Sequence, residues 1–458
     1  MTSNWSKAEL ATLRGFIEAL EPDELLRIKD PVPVDDVPSA LVMELEKSGK
    51  SPVIMMENVQ GSTMPVMVNL LATRKRIARI AALEEKDFYP AWGGILANPI
   101  KPRIVESGPA QELVFIGDEA DCNTLPLARH FAEDGGRYIN AGVLVCKDPD
   151  TGVRNLSYQR LCQKGPRRFS SNLGSRGDIW EHLNRVTARG KNLEVAIVIG
   201  APPAFYLAAA AKVAMDVDEY DIAGSLMGQP MDLVKCKTID MEVPADAEIV
   251  IEGELLHDEH ENEGPVAEYT GYSSDKSTRN VFVVKAITRR RNPIFMDIVP
   301  GTSSEHLLLA GIGRHARDYA RLKEMIPGLK AINFPRSGLL YHAYFSFKRV
   351  AEGEARRALM LLFGLDPYLK LAIAVDEDVD VFNEAEVMWA LATRFQADTD
   401  MFVMPKVFCN QLDPSSHDGM GAKLGIDATV PRGWKEQKAQ IKPEAAEMAR
   451  ALIKGFGA

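Results

Sequence analysis

Cysteine is scarce and unpatterned in this chain: five residues in 458, at positions 122, 146, 162, 236 and 409, with no C-x-x-C pair. An odd, scattered set argues against a disulfide framework and a structural zinc site, and a reducing cytoplasm is the compartment that fits. Basic residues are in deficit, with 54 Lys and Arg against 64 Asp and Glu for a net charge of −10. That leaves no surplus to hold a polyanion, so nucleic acid is not expected as a partner. Long apolar runs are missing as well. The opening MTSNWSKAEL lacks the apolar stretch of roughly 7–15 residues found in a secretory signal. The most apolar segment, 204–215, is broken by Lys212 and falls short of the roughly 20 residues that cross a bilayer, so neither export nor a membrane is expected. Neither G-x-x-x-x-G-K-[ST] nor a G-x-G-x-x-G after a strand occurs, which removes the usual cradles for ATP and NAD.

What is present is ordinary globular composition, 46% hydrophobic and 26% charged, and a length that predicts about three domains at roughly 150 residues each. Ser6 and Glu9 form a capping box ahead of Leu10, Leu13, Ile17 and Leu20, which predicts an opening helix. Apolar runs at 52–56 and 65–68 read as strands and 73–80 as a helix, making 1–112 an N-terminal α/β region. From 113 to 300 short β-rich runs follow one another closely, as in a split barrel or compact sheet domain. Arg289, Arg290 and Arg291 lie between two of these runs and read as a solvated hairpin turn. Residues 301–440 mix helical periodicity (315–325, 355–363) with strands (341–347, 370–375), a second α/β layer. The end, 441–458, contains a helix over 443–454 with Gly455 as its terminator; too short to stand alone, it is expected to dock, on another subunit for instance. The fold class is therefore α/β (α+β).

Three constellations carry chemistry. HDEHENEGPVAEY (257–269) is crowded with carboxylates; His257 and His260 read as part of an exposed acidic loop, because Gly264 and Pro265 break a helix. Glu263 and Glu268 flank that Gly-Pro bend, which can bring two carboxylates to one pocket, one kept neutral as an acid while a nearby arginine keeps its partner ionised. In VRNLSYQRL, Asn155 and Arg160 would face opposite sides of one strand unless a bulge intervened, and an arginine there needs an anionic partner; a structural ion pair is the plain reading. In 415–425 (SSHDGMGAKLG) the glycines and Lys423 offer either a phosphate cradle or a flexible connector.

Six blocks in order, MENVQGSTMPVMVNLLATRKRIA (56–78), LPLARHFAEDGGRYINAGVLVCKDPDTGVRNLSYQR (125–160), VAIVIGAPPAF (195–205), LVKCKTIDMEVPADAEIVIEGE (233–254), EGPVAEYTGY (263–272) and GMGAKLGIDAT (419–429), resemble the UbiD family of prenylated-flavin-dependent decarboxylases over nearly the whole chain. The resemblance implies a central flavin-binding domain, a C-terminal domain that mediates association as a dimer or hexamer, and a catalytic trio of Arg160, Glu263 and Glu268, with Glu268 as the proton donor. The implied reaction is reversible, non-oxidative decarboxylation of an aromatic, heteroaromatic or α,β-unsaturated acid through a covalent adduct with prenylated FMN, which a flavin prenyltransferase would supply. It further implies cofactor contacts from Asn155, Ser157, Tyr158, Gln159, Arg160 and Lys423, and a divalent metal, usually manganese, with potassium nearby. The family's metal ligands are an asparagine, a histidine and a glutamate. Here they fall on Asn155, Ser175 and Asp232, while His182 reads as a residue of the helix IWEHLNRV. Two other readings stand beside this one: a subunit of a multi-component carboxylase, and a flavin-binding relative that no longer catalyses.

Overall fold

A computed structural model describes residues 7–173, 177–436 and 438–454; Ser6, Ser175 and Gly455 lie outside them. The opening apolar stripe forms two short helices, Lys7–Leu10 and Leu13–Glu18, in place of the single helix expected. Thr12 divides them: its extended backbone (φ −131°, ψ 155°) lets the hydroxyl accept the Gly15 N–H at 2.9 Å, which starts a new helix.

The fully buried strands Val53–Met56 and Val66–Val68 lie where the apolar runs predict them and share a four-stranded sheet with Leu25–Ile28 and Phe295–Met296. Because Phe295–Met296 pairs in parallel with Val66 and Met67, the arginine run 289–291 is not a hairpin turn. It is a crossing from one sheet to another, anchored where Arg290 meets Asp246 and Glu248 and where Arg289 lies 5.4 Å from the Phe115 ring centroid.

The central region is a nine-stranded antiparallel sheet that runs as an open path, not a closed barrel. The path begins Tyr138–Ile139, Leu161–Gly165, Arg168–Ser171, Ser277–Arg289 and ends Ile249–Glu263, Leu193–Ile199, Val143–Lys147, Arg154–Tyr158; Leu113–Ile116 adds to Ser277–Arg289. The strand Leu193–Ile199 is buried on both faces from Val195 onward, with Val195, Ile197, Val198 and Ile199 all fully buried and each worth about 1.5–3 kcal/mol of burial. The acidic segment 257–263 is not a loop. It continues the strand Ile249–Glu263, paired through His260 with Asn280 and Glu263 with Ser277. The segment 153–162 is two strands, Arg154–Tyr158 and Leu161–Gly165, which sit near opposite ends of the path; the chain passes from one to the other at Gln159 and Arg160.

After this sheet comes a long helix, Ser304–Met325, capped by the Ser303 hydroxyl accepting the His306 N–H. A five-stranded sheet follows, ordered Leu329–Asn333, His342–Phe347, Leu371–Asp376, Met420–Asp427, Met401–Phe408. Residues 420–427 are thus a strand, not a connector, and Lys423 points from it into the interior. The last helix, Pro443–Leu452, buries none of its residues. Among the described residues no helix is long and apolar enough to cross a membrane, and the five cysteines are free.

Candidate active site

The break at Gln159 and Arg160 overrides strict alternation, and it brings Asn155, Ser157, Tyr158, Gln159 and Arg160 to one wall of a cavity of about 1220 Å³. From that wall Arg160 reaches two carboxylates. Its Nε and Nη2 donate to Glu263 Oε1 and Oε2 at 2.8 and 3.1 Å, and Nη1 donates to Glu268 Oε1 at 2.5 Å. A planar guanidinium is the side chain that can serve one carboxylate with two parallel bonds and a second with its remaining edge. Glu263 is fully buried at the end of its strand, Gly264 turns the chain with φ +81°, and Glu268 returns to the same cavity at 9% exposure. Burial, the largest cause, pushes the Glu268 carboxyl above its ordinary value; the Arg160 charge and hydrogen bond pull it down, and Glu263 pushes it up again. The net direction is up, which suits a group that must carry a proton.

At the other end of the strand, Asn155 Nδ2 donates to Glu219 Oε1 at 3.2 Å and the Leu156 N–H to Glu219 Oε2 at 3.0 Å. Glu219 lines the cavity, 4% exposed, and its carboxyl is pushed up to about 8, chiefly by burial and further by Asp218 and Asp178. Asp178 and Lys212 line the same end, with Arg317 and Arg321 from the long helix. Burial, Arg314 and Arg317 lower the Lys212 ammonium pKa against the pull of Asp178 and Glu219. His306 faces the cavity nearer the acid: its Nδ1 donates to the Gly301 carbonyl at 3.0 Å, so Nε2 is the acceptor, and burial lowers its pKa and keeps it neutral.

Two expected site residues are not brought here. Asp232 sits in a three-stranded sheet beside Arg103, which binds both its oxygens at 2.7 and 2.9 Å, and it does not line the cavity. The carboxylate that meets Asn155 is Glu219. Lys423 is buried with its ammonium donating to the carbonyls of Asp366, Pro367 and Leu369 at 3.2, 3.1 and 2.6 Å, leaving Lys212, among the described residues, as the lysine of the cavity. Ser175 lies outside the described residues. Glu219, Asp178 and His306 do not stand out in the sequence, and Lys212 does so only as the charge that interrupts the apolar segment 204–215. Asp178 and Glu219 both stand in the first turn of helices, Asp178–Thr187 and Glu219–Met227, and an acid there marks a helix start far more often than a site.

The residues fit a flavin nucleotide: a long polar wall, a basic end for a phosphate, and room left beside Glu268. Among the described residues no three His, Cys, Asp or Glu converge to hold a metal by themselves. An oxygen set of Asn155, Glu219 and Asp178 fits a hard divalent cation, whose charge would offset the desolvation of Glu219.

Three profiles of one family match: the 3-octaprenyl-4-hydroxybenzoate carboxy-lyase N-terminal domain over 18–96, its Rift-related domain over 103–303 and its C-terminal domain over 307–428. The anhydromevalonate phosphate decarboxylase of Methanothermobacter thermautotrophicus is 31% identical over 427 residues, 93% of this chain and 98% of the relative. The UbiD-class enzyme HmfF of Pelotomaculum thermopropionicum in complex with FMN is 36% identical, covers 95% of this chain and 98% of its own, and superposes with a TM-score of 0.91. The vanillic acid decarboxylase of Sedimentibacter hydroxybenzoicus in its open form is 30% identical with a TM-score of 0.87, covering 97% of this chain and 99% of its own. With this coverage and the Arg160, Glu263 and Glu268 cluster in one cavity, the chain belongs to the UbiD family of flavin-dependent carboxy-lyases.

Proposed function

We propose that the protein catalyses the reversible, non-oxidative decarboxylation of an aromatic, heteroaromatic or α,β-unsaturated carboxylic acid, with Glu268 as the proton donor. The observation that carries this reading is the Arg160 fork, which holds a fully buried carboxylate with two bonds and a second, proton-prone carboxyl with a third, in a cavity with room for a flavin and a small acid. Bound prenylated flavin supplies the electron sink that no side chain provides. The protein supplies orientation and the proton. Glu263 fixes the guanidinium plane, and Arg160 offers an N–H to the substrate carboxylate. An anion arriving beside Arg160 competes with Glu268 for that N–H and adds negative charge. Both effects raise the Glu268 carboxyl further and load it with the proton it delivers to the carbon that loses CO₂.

Asn155, Ser157, Tyr158 and Gln159 would hold the flavin along the wall, with its phosphate toward Lys212, Arg317 and Arg321 and manganese among Asn155, Asp178 and Glu219, potassium alongside. A flavin prenyltransferase supplies the cofactor. We further infer a homo-oligomer, dimer or hexamer, since the terminal helix leaves Met448 and Leu452 at 68% and 80% exposure and so has an apolar face to bury, and a reducing cytoplasm, which suits five free, scattered cysteines. The test is a screen of aromatic and acrylic acids with the chain co-produced with a flavin prenyltransferase, reading CO₂ release and deuterium exchange at the carboxylate-bearing carbon. Turnover of at least one class by the isolated chain supports the reading. Turnover that appears only with added partner chains favours the multi-component alternative.

A further inference from the structure

The segment 130–138 is bonded to the stretch 264–267 that leads into Glu268. Asp134, 7% exposed, accepts at one oxygen the N–H groups of His130 and Phe131 at 3.2 and 3.0 Å. At its other oxygen it accepts the N–H of Ala267 at 3.0 Å, the residue immediately before Glu268. Beside it the Gly135 N–H donates to the Pro265 carbonyl at 2.7 Å, and a Cβ on Gly135 would stand 2.3 Å from the Gly264 carbonyl oxygen, so only glycine permits this approach. The anchored end is itself fixed. His130 Nε2 lies 3.0 Å from Asp297 Oδ2 and its Nδ1 2.9 Å from Ser39 Oγ, all three buried, and Asp297 Oδ1 accepts the N–H of Ile298, which lines the cavity.

We propose that Asp134 is the positioning residue for the proton donor: its carboxylate clamps the peptide of Ala267 to the 130–131 turn and so sets where Glu268 stands against Arg160. The proposal rests on Glu268 being the acid. A carboxylate is the group of this size that accepts from two backbone segments at once and brings no donor of its own. Asn fills the same volume but turns an NH₂ toward one of the two sets of N–H groups, breaking one arm of the clamp. A reacting group displaced by about 1 Å loses on the order of a hundredfold in rate while binding is little changed.

The experiment compares cofactor-loaded wild type, Asp134→Asn and Glu268→Gln, using an acid found to be turned over, with kcat, KM, flavin content and hydrogen exchange of the backbone amides in 264–274. Asp134→Asn is expected to keep its flavin and its KM within about threefold, lose at least about tenfold in kcat, and exchange the amides of 264–274 at least about tenfold faster. Asp134→Glu, which keeps charge and acceptors but moves the oxygens by one methylene, is expected to show the same split at smaller amplitude, and it stands in should the asparagine variant not fold. Unchanged amide exchange overturns the clamp whatever Glu268 does. Faster exchange with wild-type kcat overturns the positioning role, and so does a loss of kcat that merely parallels loss of flavin. A Glu268→Gln enzyme with wild-type kcat removes the acid assignment itself, and the amide exchange of the Asp134 variants then decides the clamp independently.

Discussion

Arg160 and Glu263 face one another as two parallel forks, Nε to Oε1 at 2.8 Å and Nη2 to Oε2 at 3.1 Å, with the carboxylate fully buried. Replacing the buried carboxylate by a neutral amide weakens both bonds of the fork but leaves Arg160, 20% exposed, still paired with Glu268. Glu263→Gln is therefore expected to lower unfolding stability by about 1–3 kcal/mol in urea titration. It also frees Arg160 to close wholly on Glu268, so turnover should fall by at least about a hundredfold.

The pH dependence follows from Glu268. Its carboxyl is raised above 4.5, principally by burial, so the protonated donor persists to a higher pH than an exposed glutamate allows. Decarboxylation should be retained below that raised value and fall as pH rises through it. The linked stability has the same sign: a carboxyl raised in the folded state favours the fold most when protonated, and that contribution fades as pH climbs from about 4.5 through the folded value. A rate profile of kcat against pH, repeated at several ionic strengths, reads the limb.

Glu219 and Asp232 make opposite predictions about the cofactor. Glu219→Gln should cut bound manganese and flavin by at least about tenfold, measured by elemental analysis and absorbance after reconstitution. Asp232→Asn removes only the Arg103 pair, which is about two-fifths exposed on the aspartate side, and should leave both within about twofold.

Lys423 and Lys212 divide in a similar way. Lys423→Met leaves three buried carbonyls without their donor and should cost about 1–3 kcal/mol in stability while flavin affinity stays unchanged. Lys212→Met should leave the melting midpoint in place and weaken flavin binding by about tenfold, read by fluorescence titration.

What is legible in the sequence follows from where each contact is made. Gly264 and Pro265 advertise the bend between the two glutamates, but Arg160 reads as a structural ion pair until the family resemblance joins it to them as a trio. The geometry of the trio cannot be read from the sequence. Alternation puts Asn155 and Arg160 on opposite faces, and only the passage of the chain between distant strands of the sheet at Gln159 and Arg160 reunites them. Glu219 lies 64 residues from Asn155, and nothing local ties the two together. Asp232 is the natural candidate by its place before LVKC, but its strand lies in register with Arg103, and that neighbour takes the carboxylate. Lys423 reads as a loop residue among glycines, yet pairing with Met404 makes it a strand residue whose ammonium reaches inward to carbonyls. The apolar strands are visible throughout because burial on both faces leaves a continuous hydrophobic run, as in Val53–Met56.

The central claim is that Glu268 delivers and removes the proton. Deuterium exchange at the carboxylate-bearing carbon, followed in cofactor-loaded Glu268→Gln beside wild type with equal flavin content, tests it most directly. The account predicts that exchange in the variant falls by at least about a hundredfold while the flavin stays bound; exchange at the wild-type rate would contradict it.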